Sequence, residues 1–285
     1  MRAERNQRKK KKIITPSNIL LAALIGLLLF SGYHIYDYFE DYWQSYLKSL
    51  EATEEANEGK EIDFDKLSKK YPDLIGWIYC KGTRIDYPVV ISEDNSEYLN
   101  HGPDKNYNGA GSIFADYRTV FPFQDFITIL YGHHMRDGSM FHCLEDFKKQ
   151  DYVDKHNTMY IFTKNQNYRL KIYSVDVIKN RDDLYYLDYL YDDDKKENLL
   201  ERLKTDSLVL SGETTDVNAS YVTLSTCSYE FNSARAVVVC KVEKISDSDG
   251  ILANEERKEA QKSKLEVFFM MIKDLLEENF GDLIS

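Results

Sequence analysis

The sequence predicts a mainly β domain of eight short strands, preceded by helical sequence and interrupted by two helical insertions. After Pro72 the sequence consists of short β-rich runs separated by turn signals. A hydrophobic fraction of 43%, with 14 Phe and 22 Tyr in 285 residues, is enough for a sizeable core. Eight short strands in one domain favour a closed barrel or a sandwich.

The predicted strands and insertions follow one another along the β-rich region. We expect strands at about 76–80, 84–91, 111–115, 126–132, 158–163, 168–178, 220–226 and 235–244. The polar stretch TKNQN between the fifth and sixth strands is a good hairpin turn. Helical insertions are expected at 139–150 and 186–206, the second carrying an apolar stripe on a charged helix, formed by Leu199, Leu200 and Leu203.

The N-terminal region has the pattern of a membrane anchor. Residues 1–12 hold seven Lys and Arg and one Glu, and residues 13–36 contain no Asp, Glu, Lys or Arg. An apolar segment of this length can cross a bilayer as a helix, and the basic residues before it predict a cytoplasmic N-terminus. We therefore predict an uncleaved signal-anchor, with a cleaved signal peptide and a buried core helix as alternatives. The net charge of −11 argues against nucleic-acid binding.

Helical sequence also lies on both sides of the β-rich domain. Residues 37–60 are polar and helix-prone and predict a spacer, after which we place the domain at 61–245. Residues 246–285 form a C-terminal extension with an amphipathic helix expected at 254–280. Its apolar run Val267–Ile272 could pack on the domain, bind a partner or touch a membrane surface, and packing is the simplest choice.

A candidate nucleophile lies in the stretch YVTLSTCSYEFNSARAVVV, which spans two predicted strands. Cys227 ends the first strand and Arg235 begins the second, so strand pairing would bring the guanidinium close to the thiol. A fixed guanidinium there could stabilise a thiolate or an oxyanion. The alternative is an ordinary strand-end cysteine and a surface arginine. The three other cysteines are expected to be buried free thiols, at Cys80, Cys143 and Cys240.

Candidate acid/base groups follow the strand that ends at Gly132. The stretch ITILYGHHMRDGSMFH contains three histidines, of which His133 and His134 come directly after Gly132. No carboxylate or cysteine completes a recognisable ligand spacing, so we predict no metal site. Cys, His and Arg at strand ends of one β-domain are a coherent set for acyl transfer.

These residues carry a resemblance to a known family. TLSTC (Thr223–Cys227), YGH (Tyr131–His133) and Arg235 together resemble the sortases, membrane-anchored cysteine transpeptidases of Gram-positive bacteria. The resemblance covers about residues 60–245 and is closest to class B. The class B features are the helices before the barrel, DNSEYLNHG (Asp94–Gly102), GSIFADYR (Gly111–Arg118), YGHHMRDGSMF and the insertion at 186–206. The helix after 254 is a departure from the usual class B pattern.

The resemblance implies an eight-stranded sortase-type β-barrel and a role for each site residue. Cys227 becomes the nucleophile, His133 the general acid/base and Arg235 the positive group at the substrate carbonyl. His134 becomes a flanking residue, because the family's histidine directly follows the glycine. Five residues are implied to contact the substrate peptide: Asn95, Leu99, Tyr131, Ser225 and Thr226. For Ser225 and Thr226 the alternative is a pair of hydroxyls satisfied within the barrel.

The implied function is transpeptidation at the cell surface without a cofactor. The enzyme would cleave an LPxTG-like or NPxTx-like sorting signal after Thr through a thioester on Cys227. It would then pass the acyl group to an amine of a peptidoglycan precursor, which anchors surface proteins to the cell wall. The protein would be a single-pass membrane protein with its catalytic domain outside the cell. The alternatives are a pilin-polymerising sortase that uses a lysine side chain, and an inactive barrel that only binds peptide.

Overall fold

The computed structural model of the protein describes residues 16–56, 61–187 and 189–263. The chain divides into two compact units between Gln44 and Ser45. The predicted basic tail at 1–12 lies outside the described residues, as do residues 264–285 with the apolar run Val267–Ile272.

Two helices precede the barrel. Helix α1 (Pro16–Ala56) runs through most of the predicted apolar segment and into the predicted spacer, and α2 is Phe64–Lys70. Within the ranges that the structure describes, no helix combines the length and the hydropathy that a membrane crossing requires. Asp63 caps α2, since its Oδ1 accepts a hydrogen bond from the Lys66 amide at 2.9 Å.

The eight predicted strands are all present and close into a barrel rather than a sandwich. The barrel order is β1-β2-β3-β4-β7-β8-β6-β5. The β2–β3 and β4–β7 pairs are parallel, and the other six pairs are antiparallel. The strands are β1 (Leu74–Tyr79), β2 (Asp86–Ile91), β3 (Ile113–Ala115), β4 (Ile127–Tyr131), β5 (Thr158–Phe162), β6 (Asn167–Lys179), β7 (Tyr221–Cys227) and β8 (Ala234–Ile245).

The two faces of the strands bury different cores. Every strand contributes to the main buried cluster, for example through Ile78, Val89, Ile113, Leu130, Met159, Leu170, Val222 and Val238. Alternate residues of β4, β7 and β8 instead join a second cluster with the leucines of the segment between β6 and β7. Because side chains alternate along a strand, Tyr131, Ser225 and Cys227 belong to this outer face.

The two insertions differ from the predicted helices in their bounds. The first contains a 3₁₀ helix (His142–Lys148) followed by α3 (Gln150–Lys155). In the second, a 3₁₀ helix (Asp183–Tyr185) precedes α4 (Asp193–Thr205), so the prediction of a helix from 186 was wrong. Leu187 has a φ of +58°, which no α-helix accommodates, and Asp192 caps the start of α4.

The C-terminal extension packs on the barrel in its described part. Residues 247–263 form helix α5, which begins earlier than the predicted 254 because Ser246 accepts a hydrogen bond from the Asp249 amide. Arg257 on α5 is 0% exposed, lies 3.1 Å from the Asp86 carboxylate and sits 5.2 Å from the centre of the Trp77 ring. Helix α5 therefore packs against β1 and β2 through Arg257.

Replacement of Arg257 by methionine is expected to destabilise the domain strongly. The change leaves the Asp86 carboxylate in a buried position without its cation, which typically lowers the free energy of unfolding by about 3–5 kcal/mol. Urea unfolding followed by circular dichroism measures the loss. The matched control is Glu256→Gln, which removes the exposed pair with Lys81 on the same helix and should change the midpoint far less. Equal midpoints for both variants would contradict this account of α5.

Candidate active site

Cys227 is the accessible thiol of the protein. It is the last residue of β7 and is exposed, whereas Cys80, Cys143 and Cys240 are buried, and all four are free. Burial raises the pKa of the Cys80 and Cys143 thiols to about 12 and also raises that of Cys240. Because a thiol attacks as its thiolate and needs access, the three buried cysteines are unsuited to catalysis.

Arg235 lies directly opposite Cys227. The two residues are partners in the antiparallel β7–β8 pair, which places their side chains on one face with Cβ atoms about 5 Å apart. The Arg235 side chain is half-buried, and its Nη1 donates to the carbonyl of Ala234 at 3.0 Å. The strand pairing expected from the sequence is present, and it fixes a cation beside the thiol.

His133 leaves the neighbouring strand at the same level as Cys227. In the parallel β4–β7 pair Tyr131 is the partner of Ser225, so His133 and Cys227 each lie two residues further along. The ladder continues past the strand ends, because the Gly132 amide donates to the Ser225 carbonyl at 3.2 Å and Thr226 Oγ1 donates to the Gly132 carbonyl at 2.7 Å. Strand alternation, continued for two residues beyond Tyr131, predicts that His133 lies on the same face as Cys227.

The surroundings of His133 explain the glycine before it and the orientation of the ring. A Cβ at position 132 would lie 2.5 Å from Ile113 Cδ1 and 2.7 Å from Phe141 Cδ2, so only glycine fits. His133 Nε2 lies 2.6 Å from the Leu99 carbonyl oxygen. Since a carbonyl only accepts, Nε2 carries the proton in this arrangement.

His134 lies in a different environment from His133. Its ring packs 4.3 Å from the His142 ring and 5.1 Å from the Tyr229 ring, measured between centroids. Burial, followed by the neighbouring His142, lowers the pKa of His134. Within the described ranges, no group of three or more His, Cys, Asp and Glu side chains is arranged to hold a metal ion.

Asp116, at the end of β3, connects two of the predicted substrate-binding residues. Its carboxylate accepts hydrogen bonds from Asn95 Nδ2 at 3.0 Å and from the Tyr131 hydroxyl at 2.9 Å. Arg118 pairs with it through Nε at 2.7 Å. Burial alone would raise the pKa of Asp116, but the hydrogen bonds from Arg118, Tyr131 and Asn95 outweigh burial and lower it. Asp116 is therefore a charged hydrogen-bond acceptor that holds the side chains of Asn95 and Tyr131 in place.

Comparison with known proteins identifies the family of this chain. The family described as Sortase domain matches residues 78–243, more than half of the chain. Sortase B of Staphylococcus aureus is 32% identical over 246 residues, which is 84% of this chain and 100% of that protein. The chain belongs to the class B sortases. The resemblance predicted from TLSTC, YGH and Arg235 is confirmed.

Two solved structures of class B sortases match the barrel. The S. aureus sortase B–substrate complex is 34% identical with a TM-score of 0.60, over 64% of this chain and 85% of that one. Sortase B of Bacillus anthracis in complex with AAEK1 is 31% identical with a TM-score of 0.64, over 73% of this chain and 100% of that one. This sortase is thus a cysteine transpeptidase of the cell envelope that anchors surface proteins.

The sortase fold buries two of the predicted substrate-binding side chains. Ser225 is 1% exposed and Thr226 is 2% exposed. The Ser225 hydroxyl shares a hydrogen bond of 2.8 Å with the Tyr185 hydroxyl, and Thr226 bonds Gly132 as described. Burial and protein partners favour the alternative in which these hydroxyls are satisfied inside the protein, Thr226 by the neighbouring strand and Ser225 by Tyr185 on the outer face of the barrel. Leu99, in contrast, is 43% exposed.

Tyr185 is a residue near the site that the sequence analysis missed. Its ring stacks on Tyr131 with centroids 6.4 Å apart, and its carbonyl accepts from Arg118 Nη2 at 3.0 Å. Burial raises its pKa to about 12, so the hydroxyl keeps its proton near neutral pH. No local sequence motif marks Tyr185. Asp116 was also missed, but it lies in the class B stretch GSIFADYR, which could have indicated it.

Proposed function

We propose that this sortase cleaves a surface-protein sorting signal after its Thr through a thioester on Cys227 and transfers the acyl group to a cell-wall precursor amine. The observation that carries the proposal is the exposed thiol of Cys227 with Arg235 as its cross-strand partner. His133, two residues after the end of the adjoining strand β4, supplies the proton-transfer group. The signal is LPxTG-like or NPxTx-like.

The first half-reaction forms the thioester. The Cys227 thiolate attacks the Thr carbonyl carbon, and the guanidinium of Arg235 stabilises the negative charge that develops on the carbonyl oxygen. The amide of Ser228 already donates to the Ala234 carbonyl at 3.0 Å, which leaves the main charge stabilisation to Arg235. When the C–N bond breaks, protonated His133 donates its proton to the leaving amine.

The second half-reaction releases the enzyme. The acceptor amine attacks the thioester carbonyl, and neutral His133 takes a proton from the attacking nitrogen. The C–S bond breaks, an amide bond forms and the Cys227 thiolate is restored. Asn95, Leu99 and Tyr131 line the groove that receives the peptide before attack, with Asn95 and Tyr131 oriented by Asp116.

We also propose the membrane arrangement that follows from the N-terminal sequence. Residues 1–12 stay in the cytoplasm, 13–36 act as signal-anchor, 37–60 form the spacer, 61–245 the catalytic domain and 246–285 the extension. The absence of charged residues from 13–36 and the basic cluster before it support this arrangement. External protease on intact cells should digest the catalytic domain and spare an N-terminal tag. A protected catalytic domain would contradict the orientation.

Arg235→Ala is expected to lower kcat/KM by about 10²–10³-fold, the usual effect of removing one group that stabilises an oxyanion. The variant should fold normally, because Arg235 is half-buried and makes a single hydrogen bond to Ala234 among the described contacts. Arg169→Ala, which removes a half-buried arginine paired with Glu243, is the control and should keep full activity. Arg235→Ala with more than half of the wild-type rate would exclude the oxyanion role.

A panel of peptides and amines tests the proposed function. Fluorogenic peptides with LPxTG-like and NPxTx-like signals are incubated with wild-type protein, with and without a peptidoglycan-stem amine. Mass spectrometry then identifies the products. Cleavage after Thr and formation of the amide product are expected for one signal class. Cleavage at another bond, or none with any peptide, would contradict the proposal.

A further inference from the structure

We propose that Lys148 is a positioning residue for transpeptidation, which holds the loop that follows Cys227 in place. Lys148 ends the 3₁₀ helix His142–Lys148, and the loop in question is the β7–β8 connection, residues 228–233. The inference rests on the proposed function, because the loop begins at the residue after the nucleophile.

The Lys148 ammonium lies at the centre of a closed set of polar contacts. Its side chain is 15% exposed, and Nζ donates to Glu145 Oε2 at 2.6 Å and to Ser228 Oγ at 3.0 Å. Its third contact is with Glu230 Oε1. Ser228 Oγ in turn lies 2.8 Å from Glu145 Oε1 and also contacts Glu230. Three protein oxygens therefore occupy the three N–H donors of Lys148.

The charges make Lys148 necessary to this set of contacts. We call the contact of the 3₁₀ helix with the β7–β8 loop the joint; its residues are Glu145, Lys148, Ser228 and Glu230. Glu145 lies on the 3₁₀ helix and Glu230 on the loop, so two carboxylates face each other there with one cation between them. Burial would lower the pKa of Lys148, but Glu145 and Glu230 outweigh burial and raise it. Without the ammonium, the two carboxylates repel each other and the loop moves away from the helix.

The same joint connects both proposed reactive groups. Ser228 directly follows Cys227 and is 6% exposed, with its amide bound to the Ala234 carbonyl. On the other side, the Phe141 amide at the start of the 3₁₀ helix donates to the His133 carbonyl at 3.0 Å. Lys148 thus fixes the position of the Cys227 loop relative to the segment that carries His133.

This placement predicts an effect on the chemical step rather than on peptide binding. The ammonium of Lys148 donates its hydrogen bonds to Glu145, Ser228 and Glu230. None of these is a proposed groove residue, since those are Asn95, Leu99 and Tyr131. A small misplacement of reacting groups can reduce a rate by about 10²-fold. Loss of Lys148 should therefore lower kcat and leave KM near its wild-type value.

The test compares charge variants of the joint in full-length protein, with a fluorogenic sorting peptide that the wild type cleaves. Lys148→Met is expected to lower kcat by about 10- to 100-fold with KM changed less than about twofold. Lys148→Arg should recover most of the rate, because it keeps the cation. Adding Glu230→Gln to Lys148→Met should also recover part of it, since the repulsion is removed. The matched control is Lys149→Met, at the residue next to Lys148. This variant loses the exposed ion pair between Lys149 and Asp146 and should have wild-type activity.

The outcomes separate a positioning role from a merely structural one. Three results would overturn the proposal. The first is a wild-type kcat in Lys148→Met, and the second is a rise in its KM as large as the fall in its kcat. The third is failure of both Lys148→Arg and the double variant Lys148→Met with Glu230→Gln to restore kcat. If Lys148→Met does not fold, Glu230→Gln alone decides, with a kcat loss of at least about threefold expected and an unchanged kcat overturning the role. A wild type that cleaves no peptide would refute the proposed function itself, which is a distinct result.

Discussion

Replacement of Cys227 by alanine is expected to abolish both peptide cleavage and amide formation. The thiol is the only group proposed to form a covalent bond to the substrate, and no buried cysteine is able to substitute for it. Removal of a covalent nucleophile typically lowers kcat by about 10⁶-fold, which leaves no signal above background in a fluorogenic assay. Turnover of the sorting peptide that the wild type cleaves measures the effect.

The matched control for Cys227→Ala is Cys143→Ala. Cys143 is 6% exposed in the main buried cluster, and its replacement should retain activity in the folded protein. Alkylation provides a second control, because iodoacetamide on native protein should modify Cys227 and spare the three buried thiols. Turnover by Cys227→Ala above one hundredth of the wild-type rate would contradict its assignment as nucleophile.

Replacement of His133 by alanine is expected to lower kcat/KM by about 10³- to 10⁴-fold, whereas His134→Ala should lower it less than about tenfold. His133 lies two residues after Tyr131, the partner of Ser225, and is therefore expected at the level of Cys227. His134 packs against His142 and Tyr229, and burial keeps it neutral by lowering its pKa. The two variants differ by one position in the chain, so each serves as the control for the other.

The comparison of His133→Ala and His134→Ala is made with the same peptide and with circular dichroism of both proteins. Equal losses in the two variants would indicate that the segment after Gly132 has only a structural role. A larger loss in His134→Ala would reverse the assignment of the acid/base group.

The strands were predictable from the sequence because each carries its own local signal. Apolar and β-branched residues mark each run, and turn residues mark the gaps, so all eight strands were placed within a few residues. The order of the strands in the barrel has no such signal. The parallel β4–β7 pair joins Tyr131 to Ser225, and nothing near either residue in the sequence announces the partner.

The site was predictable where chemistry-bearing residues fall at strand ends. Cys227 and Arg235 flank a short connection, so their proximity was expected on condition that the two strands pair, and the β7–β8 register meets that condition. Tyr185 and Lys148 were missed because their positions depend on tertiary contacts, with Ser225 in one case and the β7–β8 loop in the other. The start of α4 was misplaced because an apolar pattern does not reveal the left-handed backbone of Leu187.

The most direct test of the proposed catalysis is detection of the acyl-enzyme. Wild-type protein is mixed with the cleaved sorting peptide in the absence of an acceptor amine, quenched in acid and analysed by intact-mass and peptide-mapping mass spectrometry. We predict an adduct with the mass of the peptide up to its Thr, located on Cys227 and released by hydroxylamine as expected for a thioester. Peptide turnover without an adduct on Cys227, or with the adduct on another residue, would contradict the assignment of Cys227, His133 and Arg235 as the catalytic set.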